Sequence, residues 1–225
     1  TPIVTNDTAT STSTAVNLPT VVNPNSVLLV VVRCTVAGAI GWPSGWTEVF
    51  ENSADGSVDV TAWAYMDTPA IGNEGGTTIT VTHGNGRLAA IAWAIRGAAP
   101  PAVNPPESGT VATGTTTTPD PGAVTPAAGA KDYLFLATTG FEGEGAITIY
   151  PSGYTLNQTQ ADTGTAGAVA SNCRVAMAGK QTTAATTDNP GTFTMNAAED
   201  WTAWDIAIHP RVEKRPIIAQ PRSVW

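Results

Sequence analysis

The sequence predicts an all-β chain, folded as an antiparallel β-sandwich of jelly-roll type, and three features carry that expectation. The first is composition. Thr, Val, Ala, Gly and Pro dominate, and charged residues make up 12% of the 225, about half of what a soluble domain usually carries. Thr and Val suit the pleated, half-buried surface of a strand, while Gly and Pro punctuate turns. The second feature is period-two alternation in short runs, with no stretch of convincing helical period. The third is an internal repeat. With 42% hydrophobic residues the chain is too apolar for disorder. A chain of this length buries roughly 70% of its extended surface, so the core needs no metal or disulfide staple.

The repeat sets the organisation. Pro43-Ser44-Gly45-Trp46-Thr47 returns 108 positions later as Pro151-Ser152-Gly153-Tyr154-Thr155. Ser26–Val30 matches Asp132–Leu136, and Trp63–Tyr65 matches Val175–Met177. Thr78–Thr82 matches Thr192–Asn196, and Trp93–Arg96 matches Ile206–His209. Five blocks recur in one order at offsets of 106 to 114. This implies pseudo-repeats at about 9–97 and 112–210, separated by a Pro/Gly/Thr-rich join at 98–114. Each copy has few large aliphatic residues outside three strands, so a single sandwich over 1–210 is favoured over two tandem ones.

In the first copy strands are expected near 9–18, 26–36, 46–53, 57–67, 77–82 and 88–97. Thr78, Thr80 and Thr82 alternate with Ile79 and Val81, which places one face on the core. Val27–Val32 does not alternate, as expected of a central strand covered on both faces. Pro-Ser-Gly-aromatic-Thr reads as a turn that delivers a ring into the core, and Trp46 and Trp93 are expected there. His83 falls in a turn signal, Thr82-His83-Gly84-Asn85-Gly86. Residues 161–179 are Ala-rich, but their glycines argue against a helix. Within the join, Thr115–Thr118 reads as an edge strand matching Thr10–Thr14, and Pro105-Pro106 is barred from a central strand.

Charge is unevenly placed. Residues 1–210 hold six basic and seventeen acidic side chains, a formal −11, whereas 211–225 hold four basic and one acidic, or +3. An acidic body repels phosphates and anionic lipid, so neither nucleic acid nor membrane is an expected partner. The longest apolar run, Val27–Val32, is of strand length and far short of a membrane span. No signal peptide is recognisable. Cys34 and Cys173 sit in apolar runs and read as buried free thiols, with a disulfide between them left open. Neither has a neighbour at metal-ligand spacing.

Reactive side chains are sparse, and no enzyme is predicted. His83 and His209 have no Ser, Cys or Asp at motif spacing. Glu142 with Glu144, and Glu199 with Asp200, are the nearest acid pairs. Gly-flanked loop acids are usually solvated, whereas glycosidase chemistry needs one acid in an apolar setting. No loop matches the oxygen-rich Ca²⁺ pattern. No catalytic, metal or cofactor residue is therefore assigned. Seven tryptophans leave room for a glycan-stacking surface, with Trp42, Trp63 and Trp201 as candidates.

The last fifteen residues mix Arg211, Lys214, Arg215 and Arg222 with Ile217, Ile218 and Trp225. Pro216 and Pro221 block a helix and favour an extended arm. Basic and apolar residues together suit docking on an acidic, partly apolar surface such as another subunit.

The succession Leu-Leu-Val-Val-Val, Pro-Ser-Gly-Trp-Thr, Ala-Trp-Ala-Tyr, Thr-Ile-Thr-Val and Ala-Ile-Ala-Trp-Ala-Ile-Arg-Gly resembles a strand pattern of β-sandwich virion proteins of tailed bacteriophages. It covers residues 10–97 well and 112–210 more loosely. The resemblance implies a non-catalytic particle component, foremost a capsid decoration or accessory protein, made in the host cytoplasm and residing in the virion. Its partners would be major capsid or tail subunits and further copies of itself as a homo-oligomer. The alternative is a carbohydrate-binding or host-recognition module of a tail or fibre. The pattern is one of core and turn positions, so no functional residues follow from it.

Overall fold

The computed structural model describes residues 1–20, 25–53, 58–66, 78–164 and 171–211, with backbone alone at 58 and 60–66. Among them there are strands and no α-helix. The first half of the chain forms β1 (Ile3–Asn17), β2 (Ser26–Cys34), β3 (Thr47–Asn52), β4 (Val58–Met66) and β5 (Thr78–Arg96). The second half forms β6 (Glu107–Ser108), β7 (Ala112–Gly114), β8 (Leu134–Glu142), β9 (Ile147–Ile149), β10 (Leu156–Asp162), β11 (Cys173–Gln181), β12 (Thr194–Met195) and β13 (Trp201–Ile208).

Two antiparallel sheets result. One has the order β1-β5-β2-β4-β3, and the other β10-β11-β8-β13-β6, with β7 also paired to β13. The short β9 and β12 pair with each other. All the strands before residue 97 lie in the first sheet, and the longer strands after it lie in the second. This path differs from a jelly roll, in which successive strands pass back and forth between the sheets.

Side-chain alternation explains the layering. On β2, Val27, Leu29 and Val31 share a core cluster with Leu136, Val175, Met177, Trp204 and Ile206 of the second sheet. The intervening Leu28, Val30, Val32 and Cys34 point the other way, into a cluster with Val16, Leu18, Ile40, Ile79 and Val81. A third cluster covers the far side of the second sheet, where Tyr133, Phe135, Tyr154, Phe193 and Trp201 gather. The first sheet thus carries apolar residues on both faces, which is why Val27–Val32 reads as an unbroken apolar run. Cys173 belongs to the cluster between the sheets and Cys34 to the outer one. Both are free thiols.

The two Pro-Ser-Gly turns form as expected. Trp46 N donates to Pro43 O at 3.3 Å and Tyr154 N to Pro151 O at 3.1 Å. Gly45 and Gly153 occupy the positive-φ corner at 93° and 82°, where a side chain would be strained. Tyr154 is fully buried and Trp46 packs at the edge of its cluster. Trp93 is buried between the sheets.

Two local expectations need correction. Residues 77–82 and 88–97 are not separate strands around a turn at His83, because β5 runs unbroken through it. β1 pairs along its length, with register shifts between Asp7 and Ser13, so a bulge bends the ribbon where a turn was expected. Gly84 and Gly86 are needed there because residues 35–37 pass close by: a Cβ on Gly86 would sit 2.7 Å from Thr35 Oγ1. The edge strand of the join falls on Ala112–Gly114, opposite Trp201–Ala203, rather than on Thr115–Thr118. Gly114 lies against the Trp201 ring, 2.5 Å from where a Cβ would be, which fixes the strand at that point.

Candidate functional site

A cleft of about 590 Å³ opens at one end of the sandwich, between the two sheets, within the range of ligand pockets. Its apolar lining comes from the ends of five strands: Ile3 of β1, Trp93 and Ile95 of β5, Leu134 of β8, Leu156 of β10 and Ile208 of β13. Trp93, Ile95 and Ile208 are more than nine-tenths buried, whereas Leu156 is 40% exposed. Arg96, Asp132, Gln181 and His209 supply the polar lining. Asp132 accepts from Ala184 N at 2.9 Å. His209 is 3% exposed, sets its Nε2 2.5 Å from Glu107 Oε1, and meets the Tyr133 ring edge-on at 5.2 Å. Glu107 in turn accepts from Ala127 N. His209 thus ties the cleft wall to the join between the halves.

The chain leaves the sandwich at the rim of this cleft. Ala98 and Pro210 form an antiparallel bridge, and Arg211 N donates to Gly97 O at 2.7 Å. Arg211 is exposed. Lys214, Arg215, Ile217, Ile218, Arg222 and Trp225 lie outside the described residues.

His83 occupies a different place, on the bulge of β5. Thr14 Oγ1 lies 2.8 Å from its Nε2 and 2.6 Å from Asp7 Oδ2. The ring's Nδ1 is 2.8 Å from Gly84 O and 3.6 Å from Cys34 Sγ. A carbonyl can only accept, so Nδ1 carries a proton. Burial pushes the Cys34 thiol up, away from thiolate character. The arrangement pins β1 to β5 where their register slips.

Two buried charge clusters stand out. At the end of the sheets far from the cleft, Arg33 Nη1 lies 2.5 Å from Asp59 Oδ2, with both side chains at most 2% exposed. Glu142 Oε1 is 3.9 Å from Arg33 Nη2. Burial pushes Asp59 up to about 6 against the pull of Arg33, so it remains ionised at neutral pH beside its guanidinium. Gly140 is required opposite, since a Cβ there would strike Asp59 Oδ1. The second cluster lies on the far side of the second sheet. Tyr154 OH donates to Asp188, which also pairs with Lys180. Asp205 Oδ1 is 3.4 Å from the same hydroxyl. Among the described residues its Oδ2 has no hydrogen-bond partner. Burial, reinforced by Asp188, raises Asp205 to about 8, so it holds a proton at neutral pH. Tyr154 and Asp205 are both fully buried, and the cluster latches the 151–154 turn and residue 188 onto β13.

That latch predicts a pH dependence. An unfolded Asp titrates near 3.9, so from about pH 4 to pH 8 the unfolded chain gives up a proton that folded Asp205 keeps. The stability present below that window is lost as pH rises through it, on the order of a few kcal/mol. Asp205→Asn, which imitates the protonated acid, is expected to flatten the decline. Urea unfolding of both proteins at pH 5 and pH 8 measures it, and equal losses in the two would refute the assignment.

The candidate ligand-stacking tryptophans fare differently. Trp201 is a correction, being 6% exposed because it fills the third cluster against Gly114. Trp42 is half-buried, stacks on Trp46 with centroids 5.7 Å apart, and donates its indole N–H to Glu48 at 2.9 Å. The side chain of Trp63 lies outside the described residues. The loop acids are engaged as well: Glu144 accepts from Asn172 at 3.2 Å, and Glu199 from Gly145 N at 3.3 Å. Neither the cleft nor the two charge clusters was anticipated from sequence. Their one signal was a charge inside an apolar strand run, Arg33 in Val27–Cys34 and Asp205 in Trp201–Ile208.

No family model, curated protein or solved structure matches this chain.

Proposed function

We propose that this chain is a non-catalytic structural component of a tailed-bacteriophage particle, a capsid decoration or accessory protein held on neighbouring virion subunits by its C-terminal arm. One observation carries the reading. The chain is fastened by backbone hydrogen bonds up to Arg211, and a +3 segment rich in Ile, Val and Trp follows the −11 body. A rigid body with an attached basic, apolar strap is a device for lacing subunits together, and repetition over a shell multiplies weak contacts.

Two further features favour a scaffold. His209, Asp188 and Glu144 are each engaged with a neighbouring side chain, an arrangement that serves cohesion. The strand orders of the sheets also correspond: β1-β5-β2-β4-β3 runs parallel to β6/β7-β13-β8-β11-β10. This supports reading the sandwich as two pseudo-repeats, each supplying one sheet.

A glycan-binding module, the second reading, needs open aromatic faces, and the geometry of Trp201 and Trp42 weighs against it. Deleting residues 212–225 is expected to abolish co-sedimentation with phage particles while thermal unfolding stays unchanged. Undiminished particle binding of the truncated protein, or strong retention of the full chain on a glycan array, would overturn the proposal.

A further inference from the structure

We infer that the end cleft is the receptor for the C-terminal arm of a second copy of this chain, with Ile217 and Ile218 seated on its apolar floor. This rests on the proposed arm-docking function and names the partner and the site.

The cleft offers an apolar floor of Trp93, Ile95 and Ile208 with Leu156 exposed at its rim. The arm supplies two adjacent isoleucines flanked by Lys214 and Arg215. The charged groups of the lining, Arg96 and Asp132, offset each other, so the apolar match carries the contact.

A neighbour's cleft is favoured over the chain's own. The bridge of Pro210 with Ala98 and the bond from Arg211 hold the departing backbone at the rim. Ile217 follows six residues later, about 20 Å along an extended chain. Pro216 stiffens that path, and residues 211–225 contain no glycine for a tight reversal. An arm-into-cleft contact either closes by reciprocal exchange into a two-fold dimer or passes head to tail into a ring or an open array.

Complementation in the full chain tests this. One variant carries Leu156→Arg and Gln181→Arg, both at exposed positions, and so has a blocked cleft with an intact arm. The other carries Ile217→Asp and Ile218→Asp, with an intact cleft and a disabled arm. In sedimentation velocity the unmodified chain is expected to self-associate. Each variant alone should be monomeric, and their equimolar mixture should form a dimer and nothing larger, because a single productive contact remains. A monomeric unmodified chain, as when the arm fills its own cleft, would overturn the inference, and so would a mixture that stays monomeric. Far-ultraviolet circular dichroism of both variants shows that they are folded. If self-association is absent while deletion of 212–225 still removes particle binding, the receptor lies on another virion protein. The particle role then stands and this site does not.

Discussion

Arg33→Met is expected to destabilise the fold by about 3–5 kcal/mol, the usual cost of leaving one buried charge without its partner. Arg33 and Asp59 are register partners on β2 and β4, and their contact of 2.5 Å is closed off from solvent by the second sheet. Without the guanidinium, Asp59 faces Glu142 in an interior that burial already makes hostile to charge, so it must take up a proton or open the sheets. The loss is therefore larger at pH 8 than at pH 5. The double replacement Arg33→Met/Asp59→Val should recover most of the stability, since an apolar pair of similar volume needs no compensation. Urea unfolding of the single and double variants measures both effects. An Arg33→Met protein within 1 kcal/mol of the parent would mean the pair does not hold the sheets.

Trp204→Ala carries the second large effect, again about 3–5 kcal/mol. Trp204 is fully buried on β13 and stacks on Phe50 of β3 across the sandwich, with ring centroids 4.6 Å apart. Its removal leaves a cavity between sheets contributed by different halves of the chain, which no local rearrangement can fill. Folded domains are stable by only about 5–15 kcal/mol, so the variant should unfold several degrees earlier. It should do so in one transition, because both halves share this core. Two separated transitions, with the first half melting unchanged, would show that the halves are independent.

Much of the fold was legible in the sequence because strands advertise themselves. Unbroken Val27–Val32 marked the central strand, and Thr78–Thr82 marked an alternating one. The paired Pro-Ser-Gly motifs marked two turns with positive-φ glycines. What escaped depended on pairing. The bend at His83 looked like a turn because Gly84 and Gly86 serve a bulge and a turn equally well, and only β1 running alongside decides between them. Trp201 was placed at the surface because strand phase alone does not reveal the loops that cover the second sheet. The Tyr154–Asp188–Asp205 cluster joins residues 34 and 51 positions apart, a spacing with no motif. The cleft is built from the ends of six strands, β1, β5, β8, β10, β11 and β13, and has no contiguous signature.

The function proposed here is tested most directly by electron cryomicroscopy of phage particles carrying the full chain. The expected map has the two-sheet body on the particle surface, with density for residues 212–225 continuing from its cleft end into an adjacent subunit. A map whose particles lack this body, or in which the body is attached without any contact from that segment, would contradict the account.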